Sequence, residues 1–191
     1  MNPNWQVRAA AVQQARFYLQ RQPLFLDTET TGLDAQAEIV EISVIDAAGD
    51  VLLDSLVRPQ RPIPADAVRV HGITNQMVAA APRWPQVWAE LEGLLRGRPV
   101  GIYNAEFDVR MLRQSHAASG LAWAPAAFAD FCIMRLYARY RAQPGRFGSY
   151  RWHKLTAAGR QCGLAHSGAH RARADADLAR QVLLHMAHSE L

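Results

Sequence analysis

The sequence predicts an α/β protein in which an antiparallel hairpin is built into a mixed sheet. Two observations carry this prediction. The segment EIVEISVIDAAGDVLLDSLVRP, at 38–59, consists of two β-rich runs joined by a turn at 47–50, which is typical of a hairpin. Elsewhere, short apolar runs that predict strands, at 24–28 and 99–103, alternate with segments whose apolar residues recur at helical spacing.

The first half of the chain is predicted to contain one helix, three strands and a proline-rich connection. The helix covers about residues 5–20, and Pro23 separates it from the strand at 24–28. The hairpin follows. The next segment, RPQRPIPADAVRVHGIT at 58–74, is expected to be irregular, because each proline removes a backbone donor and restricts the residue before it.

The second half is predicted to be mainly helical. From 84 to 96 the apolar residues follow a helical pattern, and the short strand at 99–103 comes next. A helix is then predicted at about 105–116. The pattern predicts three further helices, at 129–140, 153–163 and 171–188.

Length and composition indicate one globular domain. The chain has 191 residues, half of them hydrophobic and 20% charged. We therefore expect an N-terminal helical extension at 1–22 and a single domain at 23–191. No apolar run approaches the roughly 20 residues of a membrane span, so no membrane association is expected. The N-terminus lacks the pattern of a secretory signal, and a cytoplasmic location is the expectation.

The charge balance is basic and depends almost entirely on arginine. The net charge is +4, and Lys154 is the single lysine. A basic surface favours polyanionic partners, although a charge of this size is common in proteins that bind no nucleic acid. Cys132 and Cys162 are too few and too far apart for a disulfide framework or a zinc site.

Two carboxylates follow the first predicted strand, in LFLDTETTGL at 24–33. Residues two apart in a strand project to the same side, so Asp27 and Glu29 project together and Thr28 projects away. Adjacent carboxylates repel each other unless a proton or a metal lies between them, and an all-oxygen site suits Mg²⁺ or Mn²⁺. The alternative is a polar turn in which both acids are solvated.

A third acid lies near the start of a predicted helix, in YNAEFDVRML at 103–112. Asn104 is a good candidate for the N-cap. Asp108 could then complement the helix dipole. However, Asp108 precedes Met111 and Leu112 by three and four residues, which puts it on the apolar side of the helix. A carboxylate on that side is expected to have a partner.

The last predicted helix contains the fourth acid, in HRARADADLARQVLLHM at 170–186. Leu178 and Val182 mark the side that faces the core, and Asp175 lies on that side. Asp177 instead fits an ion pair with a neighbouring arginine on the same helix. His170 comes just before the helix, where a lone histidine is more often a surface residue than a catalyst.

Together these motifs resemble the DEDD exonucleases of the histidine subclass, the DEDDh or DnaQ-like family. That family includes the ε subunit of bacterial DNA polymerase III, ribonuclease T and oligoribonuclease. Asp-x-Glu-Thr-Thr-Gly stands at 27–32, Asn-x-x-Phe-Asp at 104–108 and His-x4-Asp at 170–175, and VHGIT at 70–74 also matches. The resemblance extends over about 24–188 without a departure in the catalytic set.

The resemblance implies a ribonuclease H-like fold with a mixed five-stranded sheet flanked by helices. It further implies that Asp27 bridges two divalent cations, Mg²⁺ or Mn²⁺. Glu29 and Asp175 would hold one of these ions and Asp108 would support the other. His170 would be the general base, a role that suits an imidazole at neutral pH.

Substrate contacts are also implied by the resemblance. The backbone around Thr30, Thr31, Gly32 and Leu33 would grip the terminal nucleotide, with Leu33 wedged against a base. The same pocket would include His71, Asn104 and Phe107. Core packing is the alternative for Leu33 and Phe107. The segment RYRAQPGRFGSYRWHK at 139–154 interleaves cations with aromatic rings, which suits either a single nucleic-acid strand or a solvated loop.

The sequence therefore predicts a metal-dependent 3′→5′ exonuclease that hydrolyses single-stranded DNA and releases nucleoside 5′-monophosphates. RNA is the alternative substrate within the family. The first expectation is an enzyme that acts alone, because no obvious polymerase tether follows the last predicted helix. A proofreading subunit bound to a DNA polymerase is the second. A non-catalytic nucleic-acid-binding module is the alternative from a different class.

Overall fold

A mixed sheet lies at the centre of the computed structural model, which describes residues 3–123, 128–165 and 170–190, with the side chains of Pro3 and Phe147 left out. Within these residues the sheet has five strands in the order β3-β2-β1-β4-β5. The strands are β1 (Leu24–Thr30), β2 (Ile39–Ile45), β3 (Val51–Leu56), β4 (Pro99–Ile102) and β5 (Ala129–Cys132). The predicted mixed sheet with an antiparallel hairpin is confirmed.

The helices flank this sheet. They are α1 (Pro3–Leu19), α2 (Ala65–His71), α3 (Trp84–Leu95), α4 (Ala105–Ala118), α5 (Ile133–Arg141), α6 (Leu155–Gln161) and α7 (Ala172–His188), with a short 3₁₀ turn at Arg146–Gly148. No helix among the described residues is long and apolar enough to cross a membrane.

The central strand β1 pairs with an antiparallel neighbour on one side and a parallel neighbour on the other. Against β2 the register sets Asp27 opposite Ser43 and Glu29 opposite Glu41, and a bulge follows Glu29. Against β4 the pairing is parallel. Since parallel strands end at the same edge of a sheet, the residues that follow β1 and β4 are brought together.

Each face of the sheet carries its own apolar core, because successive residues of a strand project to opposite faces. Phe25 packs in a cluster with side chains of α1, α5 and α7. Leu24 and Leu26 pack in a second cluster with side chains of α3 and α4. The helices that carry the third and fourth acids, α4 and α7, therefore lie on opposite faces of β1.

The N-terminal helix is part of the first core. Ala11, Val12 and Ala15 of α1 are fully buried in it. Arg16 also donates to the end of α7, with its Nε 2.8 Å from the carbonyl oxygen of Ala187. Helix α1 thus supports the helix that carries the third sequence motif.

The proline-rich segment contains a helix that the sequence prediction missed. All its prolines precede α2, and the last of them, Pro64, occupies the N-cap position, where a missing backbone donor disturbs no helical hydrogen bond. Gly72 then ends the helix in the left-handed conformation, at φ 75°. The expectation of an irregular 58–74 segment was therefore wrong for residues 65–71.

The predicted helix at 129–140 was wrong for its first four residues. These form β5, which pairs in parallel with β4 from Pro99↔Ala129 to Ile102↔Cys132, and the helix α5 begins only at Ile133. Close packing accompanies this pairing, since a Cβ at Gly101 would lie 2.7 Å from the ring of Phe131. The sheet thereby gains a strand that is too short to show a periodicity of its own.

Candidate active site

The four acids of the three motifs meet at one edge of the sheet. Asp27 lies in the middle of β1 and Glu29 near its end. Asp108 lies in the first turn of α4 and Asp175 in the first turn of α7. Helix α4 begins three residues after β4 ends, so the parallel pairing of β1 and β4 carries Asp108 to the same edge.

Asp27 occupies the centre of the acidic cluster. Its pKa is raised well above the ordinary value, first by burial and then by the nearby charges of Asp108, Asp175 and Glu29. Asp27 thus interacts with an acid on each face of the sheet as well as with the acid two residues along its own strand. We expect its charged form to require a cation.

Glu29 is buried and has a pKa raised to about 8. Burial is the main cause, and the charge of Asp175 is the next. The positive charge of Arg171 lowers the pKa of Glu29, but the guanidinium group hydrogen-bonds to Glu41 and not to Glu29. Among the residues that the structure describes, no arginine hydrogen-bonds to the buried carboxylate of Glu29.

Asp108 is buried as the sequence pattern predicted, and one strand residue fixes its orientation. Burial raises its pKa to about 7, while hydrogen bonds from Thr28 lower it. The hydroxyl of Thr28 donates to Oδ1 of Asp108 at 2.8 Å. Thr28 points to the α4 side, away from Asp27 and Glu29, and this direction lets it reach Asp108.

His170 lies in the described residues immediately before α7 and is exposed. Its backbone is in the left-handed region, at φ 63°, which is uncommon for a residue with a side chain. One ligand atom each of His170, Glu29 and Asp175 lie within 4.8 Å of one another. Asp27 and Asp108 are not members of this group of three. The imidazole is therefore close to two of the acids and open to solvent.

The donor set of this site fits a hard divalent cation. Carboxylate oxygens are the ligands that Mg²⁺ and Mn²⁺ prefer, and here they converge from three separate segments of the chain. Burial and mutual repulsion raise the pKa values of Asp27, Glu29 and Asp108, so a bound cation would remove an unfavourable interaction that the fold itself creates.

A network of hydrogen bonds fixes the loop that follows β1. Thr30 donates through its hydroxyl to the carbonyl oxygen of Gly32 at 2.7 Å. The Nδ1 of His71 accepts from the N–H of Ile73 at 3.0 Å, so its Nε2 carries the proton and donates to the carbonyl oxygen of Thr30 at 3.2 Å. Thr31 accepts through its hydroxyl from the N–H of Glu38. His71 is thus buried behind the loop and supports it.

The remaining candidate substrate residues differ in exposure. Leu33 is 74% exposed, so core packing was the wrong alternative for it. Phe107 is half-buried against the second core and its ring lies beneath Arg110. Asn104 occupies the predicted N-cap position of α4 and is exposed, but its side chain makes no capping hydrogen bond. The amide of Asn104 is therefore available at the rim of the site.

The aromatic residues of the arginine-rich segment at 139–154 also differ in exposure. Tyr140 is buried in the first core, whereas Trp152 is 61% exposed. The side chain of Phe147 lies outside the described residues. Tyr103 donates to the carbonyl oxygen of His153 at 2.9 Å, which ties the segment to the end of β4 beside Asn104. Trp152 is thus the described aromatic side chain of this segment that a base could reach most easily.

Sequence reasoning missed an ion pair beside the site. Glu41 on β2 is 3% exposed and accepts from Nε of Arg171 at 3.0 and 3.1 Å, through its two oxygens. It also accepts from the N–H of Ala172 at 2.9 Å. These bonds fix the start of α7, directly beside His170. The acid inside the apolar run IVEISVI was the available signal, although the sequence does not reveal its partner 130 residues away.

Comparison with known proteins identifies the family of the chain and several similar proteins. The exonuclease family RNase T matches residues 24–183. An uncharacterized exonuclease of Escherichia phage 186 is 44% identical over 174 residues, which cover 87% of this chain and 89% of that protein. The DNA polymerase III subunit epsilon of Treponema pallidum is 30% identical over 154 residues, or 78% of this chain and 69% of that subunit. The chain spans less than half the length of several other polymerase subunits that it matches.

A solved structure also resembles the chain. The nuclease domain of 3′hExo, a DEDDh family member bound to rAMP, superposes with a TM-score of 0.70 at 18% identity, covering 85% of this chain and 89% of that domain. At this level of identity the similarity is one of fold.

Proposed function

The chain belongs to the DEDDh 3′→5′ exonuclease family, with its ribonuclease H-like fold and its use of divalent metal, and we propose that it removes nucleotides from the 3′ end of single-stranded DNA. The product of each turnover is a nucleoside 5′-monophosphate. The observation that carries this proposal is the convergence of Asp27, Glu29, Asp108 and Asp175 beside the exposed His170.

The four carboxylates have the role of holding two divalent cations, Mg²⁺ or Mn²⁺. Such a pair of ions stabilises the attacking and the leaving oxygen of an in-line phosphoryl displacement. Asp27 would hold the cations together with the acids on both faces of the sheet, because the charges of both are close to it. Glu29 and Asp175 form one position, and Asp108, oriented by Thr28, contributes to the other.

His170 acts as the general base. Water adds across the bond between phosphorus and the 3′ oxygen of the next-to-last nucleotide. One proton of the water goes to the imidazole, and the water oxygen becomes a phosphate oxygen of the product. The bond from phosphorus to the 3′ oxygen breaks, and the leaving 3′ oxygen takes a proton from solvent water. Exposure of His170 allows the imidazole to return its proton to solvent before the next turnover.

The loop after β1 positions the terminal nucleotide. Thr30, Thr31 and Gly32 present a backbone whose shape is fixed by internal hydrogen bonds, with His71 behind it. Leu33 projects into solvent, where it can insert against the terminal base. Asn104 and Phe107 form the opposite side of this pocket, at the start of α4.

DNA is the proposed substrate because a curated relative that shares most of its length with this chain is a DNA polymerase subunit. RNA remains the alternative within the family. We propose that residues 23–191 form the exonuclease domain, with residues 1–22 as a helical extension. The enzyme acts alone, and association with a polymerase is the second arrangement to test.

Digestion of end-labelled substrates tests this function. The purified chain, with Mg²⁺ or Mn²⁺, is incubated with single-stranded DNA, duplex DNA and single-stranded RNA of the same sequence. We expect fastest release of mononucleotides from single-stranded DNA and resistance of the matched circular strand. Cutting of the circle at the rate of the linear strand would contradict an exonuclease, and faster release from RNA would reassign the substrate.

A further inference from the structure

A cleft rich in arginine lies between α1, α4, β5 and α5, apart from the acidic cluster. Its volume is about 680 Å³. Four exposed arginines line it, namely Arg110, Arg113, Arg135 and Arg139. Two acids also line it, so arginine is in excess.

The four arginines form two pairs on two helices. Arg110 and Arg113 are three residues apart on α4, and Arg135 and Arg139 are four residues apart on α5. Residues at these spacings lie on one face of a helix, with their Cβ atoms about 5–6 Å apart. The cleft therefore presents two short rows of positive charge rather than a single point.

Most of this charge is held in place without being neutralised. The guanidinium groups of Arg110 and Arg113 lie 5.5 Å from the ring centroids of Phe107 and Trp123 respectively. Arg139 donates to the neutral amide oxygen of Gln14 at 3.0 Å. Among the described residues, Arg135 is the one arginine of the four that makes an ion pair, with Glu106 at 3.0 Å.

The cleft is next to the site through the first turn of α4. Ala105 and Glu106 line the cleft, and Asn104 and Phe107, which belong to the proposed nucleotide pocket, flank them in the chain. Asp108 projects from the buried side of the same turn. A strand whose terminal nucleotide lies beside Asp108 can therefore pass around the start of α4 into the cleft.

We propose that this cleft binds the phosphate backbone of the substrate strand upstream of its 3′-terminal nucleotide. The inference rests on the proposed function and extends it from the scissile bond to the body of the strand. Exposed guanidinium groups in rows suit phosphates that repeat along a chain, and their attraction does not depend on base sequence. The enzyme thereby holds long strands more tightly than short ones.

The test compares a cleft variant with a charge-matched control. R113Q/R139Q removes one arginine from each helix of the cleft. R21Q/R96Q removes the same number of charges at the edge of the sheet where β1 and β4 begin. Binding of fluorescent single strands of about 3 and about 20 nucleotides is followed by anisotropy with Ca²⁺ in place of Mg²⁺, over a range of salt concentrations.

We expect the cleft variant to bind the long strand at least about tenfold more weakly than the control does. Its salt dependence should fall in slope by about 1.4, since each phosphate contact to a single strand contributes about 0.7. The rate of hydrolysis of the trinucleotide in Mg²⁺ should stay at the wild-type value. Equal affinity of both variants for the long strand would overturn the inference and leave the cleft to another anion, such as an acidic protein segment.

Failure of the proposed function gives a different result. In that case the wild-type enzyme does not hydrolyse the trinucleotide at all. Hydrolysis of the trinucleotide with no advantage for the long strand in the wild type would overturn the cleft inference while leaving the active site intact.

Discussion

The acidic cluster and the arginine cleft lie on either side of the first turn of α4, and they carry opposite charge in opposite environments. The acids are buried or half-buried, and burial raises the pKa values of Asp27, Glu29 and Asp108, that of Glu29 to about 8. The arginines are exposed and cost little to leave in water. Burial thus determines how selective each charged region is for its partner. Buried charges require partners at fixed positions, whereas exposed charges attract any polyanion of suitable spacing.

The largest expected effect is a difference in activity between variants of two acids on α7. Asp175 lies in the cluster, whereas Asp177 pairs with Arg180 at 2.8 Å. Because Asp175→Asn removes a proposed cation ligand, we expect initial rates on single-stranded DNA to fall by at least about 10³-fold, corresponding to several kcal/mol. Asp177→Asn is the matched control and should stay within about twofold of wild type. Equal loss in both variants would contradict the assignment of Asp175.

The next effect concerns His170, which lies within reach of Glu29 and Asp175. If it is the general base and no ligand, His170→Ala should lower turnover by about 10²–10⁴-fold and leave Mn²⁺ affinity nearly unchanged. The control is the circular dichroism spectrum of the variant, which should match that of the wild type. If Mn²⁺ affinity falls as far in His170→Ala as in Asp175→Asn, titrated side by side, His170 is a ligand instead.

A smaller effect is expected from the ion pair that fixes the start of α7. Arg171→Ala frees the segment that carries His170, and we expect turnover to fall by about 10–100-fold, as for partners of catalytic ligands. Arg171→Lys should recover part of the loss. Arg173 is exposed two residues along and donates no hydrogen bond among the described residues, so Arg173→Ala is the control. A fall in thermal stability that accounts for the whole loss would contradict a positioning role.

The smallest effect is a pH dependence of stability in the metal-free protein. The pKa values of Glu29 and Asp108 are raised by folding, to about 8 and about 7, so the folded state binds more protons than the unfolded state. Their protonation supports the fold below the ordinary carboxyl pKa, and this support is lost as pH rises to about 8. We therefore expect Tm in EDTA to fall from pH 5 to pH 8.

Saturating Mn²⁺ should reduce that fall, so the rise in Tm that the metal produces should grow with pH. The control is Asp108→Asn, which removes one of the titrating groups and should flatten the metal-free profile. An EDTA profile that rises over the same range would contradict the raised pKa values.

The sequence predicted the acidic cluster better than its surroundings, and the reason is the range of the interactions. Local periodicity placed Asp108 on a buried helix face, and the alternation of a strand placed Asp27 and Glu29 together. Strand β5 depends on pairing with β4, and the contact of Glu41 with Arg171 depends on a register that no local pattern encodes. Helix α2 was missed because prolines that precede a helix were interpreted as excluding one.

The central claim is that the buried acids create a site for two divalent cations, and Mn²⁺ titration by calorimetry tests it most directly. Wild type and Asp27→Asn are titrated at pH 8 with a nucleoside 5′-monophosphate present. We predict two Mn²⁺ per wild-type chain and loss of at least one in Asp27→Asn, because Asp27 interacts with the acids on both faces of the sheet. Identical stoichiometry and affinity in the two proteins would contradict the claim.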